Sequence, residues 1–183
     1  MRKALLMLAA VGAMACGVVG FKAHAFAATE PLAVGSVAPD FKLPTQVDNV
    51  SASLKDYKGK YVVLYFYPKD MTTGCTIEAH NFERDTAKYA ALNAVVLGVS
   101  LDTVESHKTF CSKDGLNFKL LADPEHKVID AYGVPVMDMG PVKIAKRDTF
   151  LIGPDGKIMK FWEVKDVNKH SDEILAAIQE LKK

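Results

Sequence analysis

Apolar positions along the chain fall into two kinds of pattern, and their alternation predicts a layered α/β domain. Tyr61-Val-Val-Leu-Tyr-Phe-Tyr67 and Ala94-Val-Val-Leu-Gly-Val-Ser100 are nearly unbroken runs of β-branched, aromatic and aliphatic residues, as in strands covered on both faces. Pro68 cannot continue the first run. Ala79, Phe82, Thr86 and Tyr89 then recur at three-to-four spacing, which predicts one helix from near Gly74-Cys75 to about Ala91.

The second half repeats the alternation. Asp102, three places before Glu105, has capping-box spacing and predicts a helix through Thr109-Phe-Cys111. Phe118 to Leu121 reads as a short strand. Asp123-Pro124-Glu125 offers a capping carboxylate and a first-turn proline to another helix. Thr149 to Ile152 and Lys157 to Trp162 flank a Pro-Asp-Gly turn, the pattern of a β-hairpin. Ser171 precedes a last helix with Ile174, Leu175, Ile178 and Leu181 on one stripe. Before the first strand, Thr29 to Lys60 is a Pro-rich and Gly-rich lead-in with an extended piece at Phe41-Lys-Leu43 and a turn at Asp48-Asn49. A β-α-β unit followed by a hairpin and a helix is the order of a thioredoxin-like α/β domain, a central mixed β-sheet with helices on both faces.

Composition narrows the picture. A chain of 183 residues, 49% hydrophobic and 25% charged, suits one globular domain and excludes disorder. A formal charge of +1 provides no basic surface for nucleic acid. Arg2 and Lys3 precede an apolar stretch from Ala4 to Ala15, and Ala23-His24-Ala25 and Ala25-Phe26-Ala27 offer small-residue cleavage sites. Residues 1–27 therefore read as a secretory signal peptide, too short for a permanent span, and the folded domain as residues 32–182. Ala13-Met-Ala-Cys16-Gly17 resembles a lipid-attachment box but has Ala13 where Leu is usual, so ordinary export to the periplasm is the favoured reading. No other segment approaches membrane length.

Of three cysteines, Cys16 leaves with the leader, and Cys75 and Cys111 remain in a compartment that permits disulfides. Cys75 falls in the first turn of a helix, where unpaired N–H groups and the dipole favour an anion. The dipole contributes about 0.3 to 1 kcal/mol at an exposed site, too little to keep a thiol ionised, so a neighbouring cation is needed. The mature chain has only Arg84 and Arg147. Arg84 lies nine residues along the same helix, roughly 13 Å away. Arg147 precedes the strand Thr149 to Ile152, which must pack beside Tyr61 to Tyr67, and is the better candidate. The plain alternative for Cys75 is a small buried hydrophobe.

Other signals carry less. Gly153-Pro-Asp-Gly156-Lys157 lacks phosphate-loop spacing. His80, His107, His126 and His170 never pair at metal spacing, and Met137-Asp-Met139 is a weak soft-metal hint better read as loop contacts. Phe161, Trp162 and the first-strand tyrosines read as core, and Lys55, Lys58 and Lys60 as a solvated face. No cofactor or metal is expected.

Pro68-x-x-x-Thr72-x-x-Cys75, with Gly-Val-Ser100 and Arg147-Asp-Thr-Phe-Leu-Ile152 downstream, resembles the active-site signature of the peroxiredoxins. Tyr67-Pro-Lys-Asp70 with Thr-Gly-Cys75-Thr-x-Glu78 looks most like their Q subfamily, the bacterioferritin comigratory proteins, over roughly Leu32 to Leu181. The resemblance implies that Cys75 is the peroxidatic cysteine, that Thr72 hydrogen-bonds the peroxide, that Arg147 holds thiolate and peroxide, and that Pro68 shields the site from water. Many Q-type members carry a resolving cysteine one turn or so further along the same helix, where this chain has His80. In another branch it lies on the next helix, at the interval that separates Cys75 from Cys111, which makes Cys111 the resolving thiol. The implied enzyme is a monomeric, atypical two-cysteine peroxidase of hydrogen peroxide and organic hydroperoxides, recycled by a thioredoxin-like dithiol. The reduced cysteines are expected to sit too far apart to bond, so that oxidation melts part of a helix. Three alternatives stay open: a permanent Cys75 to Cys111 staple, a thiol-disulfide exchanger, which Thr72 in place of a first cysteine disfavours, and a non-catalytic copper-binding module.

Overall fold

The computed structural model describes residues 30–183; the expected leader, with Cys16, lies outside them. A five-stranded sheet runs in the order β5(Lys119–Ala122), β4(Ala94–Ser100), β3(Tyr61–Phe66), β8(Asp148–Ile152) and β9(Ile158–Glu163). β3 pairs parallel with β4, and β4 with β5, whereas β8 is antiparallel to both β3 and β9. This is the mixed sheet expected of a thioredoxin-like domain.

β3 carries the core because its alternate residues serve opposite faces. Val63, Tyr65 and Tyr67 join one buried cluster with Cys75, Phe82, Tyr89, Phe110, Cys111 and Ile178. Val62, Leu64 and Phe66 join the other with Leu97, Ile129, Tyr132 and Phe150. The first face is covered by α1(Thr73–Arg84), α2(Thr86–Ala91), α3(Val104–Asp114) and α5(His170–Leu181), and the second by α4(Lys127–Ala131) and the N-terminal lead-in. In that lead-in, β1(Lys42–Pro44) and β2(Ser51–Ser53) form a hairpin whose turn holds Asn49 at φ 59°.

Several local expectations are corrected. The single helix from Gly74 to Ala91 is two, α1 and α2, broken at Asp85. That carboxylate is fully buried and accepts hydrogen bonds from Arg84, its neighbour, and from Ser171 of α5. Ser171 is thereby drawn into the core instead of capping α5, which begins at His170 after Lys169. Leu181, at the end of the expected stripe, is 42% exposed. Thr103, not Asp102, caps α3 by accepting from the Ser106 N–H. Asp123 does serve α4, but at a distance, accepting from the N–H groups of Lys127, Val128 and Ile129 while Pro124 stays outside the helix. Met137 and Met139 belong to a hairpin rather than a loop: β6(Val136–Met139) pairs with β7(Val142–Ala145) around Gly140 at φ 62°.

Candidate active site

The end of β3 delivers the chain into a short loop, Pro68 to Thr72, that leads directly to α1. The loop is pinned from β4's end: Asp102 accepts from the Asp70 N–H at 2.9 Å, from the Ser100 hydroxyl at 2.8 Å, and pairs with Lys69 at 3.3 Å. Asp102 is thus unavailable as a helix cap because it holds this loop. Met71 sits at φ 58°, a left-handed conformation costly for a residue with a Cβ, so the tight entry to α1 stores strain beside the site. Pro68 is half-buried and forms a wall of a cleft of about 510 Å³ that also meets Lys69, Thr103 and Ser106.

Thr72 has extended backbone and stands at the N-cap of α1, with no side-chain capping bond. The first helical hydrogen bond runs from the Thr76 N–H to the Thr72 carbonyl at 2.9 Å, so the N–H groups of the first turn, through Cys75, have no partner further back in the helix. The Thr72 hydroxyl donates its proton to the Lys69 carbonyl at 3.0 Å. Its open capacity is as an acceptor, which gives a direction to the hydrogen bond expected between Thr72 and a peroxide.

Cys75 is 1% exposed, and Arg147 brings Nη2 to 3.2 Å from its sulfur. β8 explains the approach: it pairs Thr149 with Tyr65 and Asp148 with Phe66, so the residue just before β8 emerges beside the end of β3, where α1 starts. Arg84 stays on the far turn of α1, occupied by Asp85 and Asp172. Gly74 makes room for the guanidinium, since a Cβ there would lie 3.4 Å from Arg147 Nη2.

The other guanidinium nitrogen, Nη1, donates to Glu78, which is 1% exposed and whose second carboxyl oxygen has no partner. Burial pushes Glu78 up to about 7, against the pull of Arg147. Burial also opposes the charge of Arg147, but Glu78 and Cys75 more than offset it and hold the guanidinium cationic. Carboxyl and sulfur therefore share one cation. Glu78 was legible only as one letter of a signature. The missed signal is physical: it lies three residues after Cys75, on the same buried helix face, and a buried carboxylate demands a cation.

Cys111 lies on α3, 9% exposed, in the same buried cluster as Cys75, and both cysteines are free. Burial first, and then the charges of Asp70, Glu83 and Asp114, push the Cys111 thiol up to about 12. The two thiols thus have different surroundings, one on a guanidinium and a helix start, the other among carboxylates. Among the described residues no group of three or more His, Cys, Asp and Glu side chains is arranged to hold a metal ion, and no helix is long and apolar enough to cross a membrane.

Residues 34–161 match the model of the AhpC/TSA family. The peroxiredoxin Bcp of Bacillus subtilis is 42% identical over 151 residues, covering 81% of this chain and 96% of that protein. The crystal structure of the peroxidoxin BcpB from Mycobacterium tuberculosis superposes with a TM-score of 0.75 at 29% identity, covering 82% of this chain and 98% of that one. The bacterioferritin comigratory protein of Xanthomonas campestris, solved in a study of its alkyl peroxide reduction activity, matches with a TM-score of 0.72 at 32% identity, covering 78% and 92%. With its thioredoxin-like sheet, its buried cysteine at the head of α1 and relatives matched over nearly their whole length, the chain belongs to the AhpC/TSA family and, within it, to the Bcp-type peroxiredoxins.

Proposed function

We propose that this protein reduces hydrogen peroxide and organic hydroperoxides with Cys75 as the attacking group and Cys111 as the resolving one. The observation that carries the reading is the contact of Arg147 Nη2 with Cys75 Sγ at 3.2 Å, made at the unpaired start of a helix. A thiolate there is the nucleophile that peroxide chemistry requires.

The sulfur attacks one peroxide oxygen, the O–O bond breaks, sulfur keeps the hydroxyl as sulfenic acid, and hydroxide or alkoxide leaves to be protonated as water or alcohol. Arg147 and the first-turn N–H groups of α1 offset the charge that develops on the departing oxygen, which is preorganised electrostatic stabilisation. Thr72 Oγ1, its own proton committed to Lys69, accepts from the peroxide O–H, and Pro68 keeps bulk water off the sulfur. Cys111 then displaces hydroxide from the sulfenic acid to give the Cys75 to Cys111 disulfide, and an external thioredoxin-like dithiol reopens it. The Xanthomonas campestris protein has been solved with each of two cysteines replaced in turn by serine, and those two stand the same interval apart in sequence as Cys75 and Cys111. In this reading the two cysteines, which lie on separate helices, come together by local unwinding of part of at least one of them. The protein works as a monomer.

Export is part of the same reading. It rests on the charged start, the apolar stretch and the small-residue sites of residues 1–27. Expression of the full chain with its native leader, followed by fractionation and mass measurement of the mature N-terminus, tests it: a product starting near Ala25 to Thr29 in the periplasm supports export, and an intact cytoplasmic chain refutes it.

For the chemistry, the reduced protein is mixed with stoichiometric peroxide and thiol loss is followed. Rapid loss in the wild type, no fast phase in Cys75→Ser and a trappable sulfenic acid in Cys111→Ser are expected. Slow, indiscriminate oxidation in all three overturns the reading.

A further inference from the structure

Behind the Pro68 to Thr72 loop lies a buried polar cluster that the peroxide step does not use. Asp70, 4% exposed, accepts from the Tyr67 hydroxyl at 2.7 Å, from the Ser106 hydroxyl at 2.7 Å and from His107 Nδ1 at 2.8 Å. Burial opposes its charge, but these bonds, that of His107 foremost, hold the carboxyl below its ordinary range. An ionised Asp70 only accepts, so the His107 proton sits on Nδ1. His107 is fully buried, and its Nε2 has no partner. With Nδ1 turned to Asp70, Nε2 is the ring nitrogen left open toward the core. Cys111 stands four residues on, one turn along the same buried face of α3, with Cβ atoms about 5–6 Å apart at that spacing.

We propose that His107, oriented by Asp70, is the base that takes the Cys111 proton when the disulfide forms. The inference rests on the peroxidase reading above. As the resolving sulfur closes on the Cys75 sulfenic acid, the S–H proton passes to His107 Nε2, the S–S bond forms and the S–O bond breaks. The departing hydroxide takes the proton back from Nε2 and leaves as water, so the step needs no outside oxidant or reductant. The need for a base follows from the surroundings of Cys111. A thiol pushed up to about 12 by burial and by the carboxylates around it stays protonated at neutral pH. Asp70 serves as a positioning residue, fixing the tautomer and ring orientation of His107.

The titratable groups facing this pair are Tyr65 from β3, Tyr67 just after it, Asp70 from the loop, Glu83 and the His80 partnered with Asp114 from α1, and Asp114 itself at the end of α3. A single-turnover experiment separates the first step, oxidation of Cys75, from the second, disulfide formation, in full-length mature protein and in His107→Gln. The ratio of second-step to first-step rate at pH 7 is expected to fall by about 100-fold, the usual worth of a general base. Between about pH 6 and 9 the second step should climb about tenfold per unit in His107→Gln, where ionisation to solvent limits it, and clearly less steeply in the wild type. A purely structural role for His107 would not change that slope. A ratio unchanged in His107→Gln overturns the proposal. So does a wild-type second step that itself climbs tenfold per unit, a result that needs no variant to fold. Absence of a fast first step in the wild type instead overturns the peroxidase reading, and the proposal with it.

Discussion

Arg147 touches Cys75 from the opposite side of the sheet's chain order: its Nη2 lies 3.2 Å from a sulfur 72 residues earlier, while Nη1 is held by Glu78 one turn further along α1. The contact exists because β8 runs antiparallel to β3 in a register that pairs Asp148 with Phe66. A register slip of one residue would turn every inward side chain of β8 to the other face and withdraw the guanidinium, so the site is as secure as the central strand pair.

Gly74 is where helix stability and the site conflict. Alanine in a helix is worth about 0.5–1 kcal/mol over glycine, but here its Cβ would sit 3.4 Å from Arg147 Nη2, at the tight edge of ordinary contact with the guanidinium. Gly74→Ala is expected to keep or raise the thermal midpoint while slowing oxidation of Cys75 by roughly tenfold, the effect of weakening one charge-assisted hydrogen bond by about 1.4 kcal/mol. Calorimetry and single-turnover kinetics on the same variant check the split.

Asp85 ties the α1 to α2 break to α5 through Ser171 at 2.8 Å, with Lys88 at 2.8 Å and Arg84 beside it. Arg84 above all holds its carboxyl well below the usual carboxylate range. A depressed folded value means stability that is present above the unfolded value near 3.9 and is lost as pH falls toward the folded one. Asp85→Asn should therefore lose about 1–2 kcal/mol at neutral pH, discounted for the exposure of Arg84 and Lys88. The gap from wild type should narrow below about pH 4, as read by denaturant unfolding at several pH values.

Asp148 predicts the opposite sign. It is 1% exposed with both carboxylate oxygens unpartnered, and burial pushes it up to about 6 despite Lys146. A raised folded value costs stability as pH rises from the unfolded value near 3.9, and the full cost is present above about 6. Asp148→Asn is expected to stabilise the protein by about 1–2 kcal/mol at pH 7 and to leave it unchanged near pH 4. Denaturant midpoints at the two pH values check it.

Much of this architecture was legible because burial writes itself into local pattern. β3 and β4 announced themselves as unbroken apolar runs, and counting arginines was enough to nominate Arg147 for Cys75. Features made by long-range polar contacts left no such trace. The spacing of Ala79, Phe82, Thr86 and Tyr89 continues across the helix break because Asp85 turns the chain without changing which side is buried. Asp102 and Ser171 looked like caps because cap residues are short and polar, the very property that let the Pro68 to Thr72 loop and Asp85 claim them instead. β6 and β7 escaped because Met137, Met139 and Val142 are exposed, so no alternation of buried and solvated positions marks them. The link from Asp70 to His107 spans two separate connections, and neither residue type nor spacing foretells it.

If the guanidinium of Arg147 makes Cys75 a peroxide-cleaving sulfur, the effect is read in the second-order rate of Cys75 oxidation by hydrogen peroxide in Arg147→Gln. Losing one preorganised charged donor costs about 100- to 1,000-fold, so a fall of that size with the fold retained is expected, and a smaller fall in Arg147→Lys, which keeps the charge without the fork. A rate within about threefold of wild type, no more than the low end of what one ordinary neutral hydrogen bond is worth, would exclude this role for Arg147.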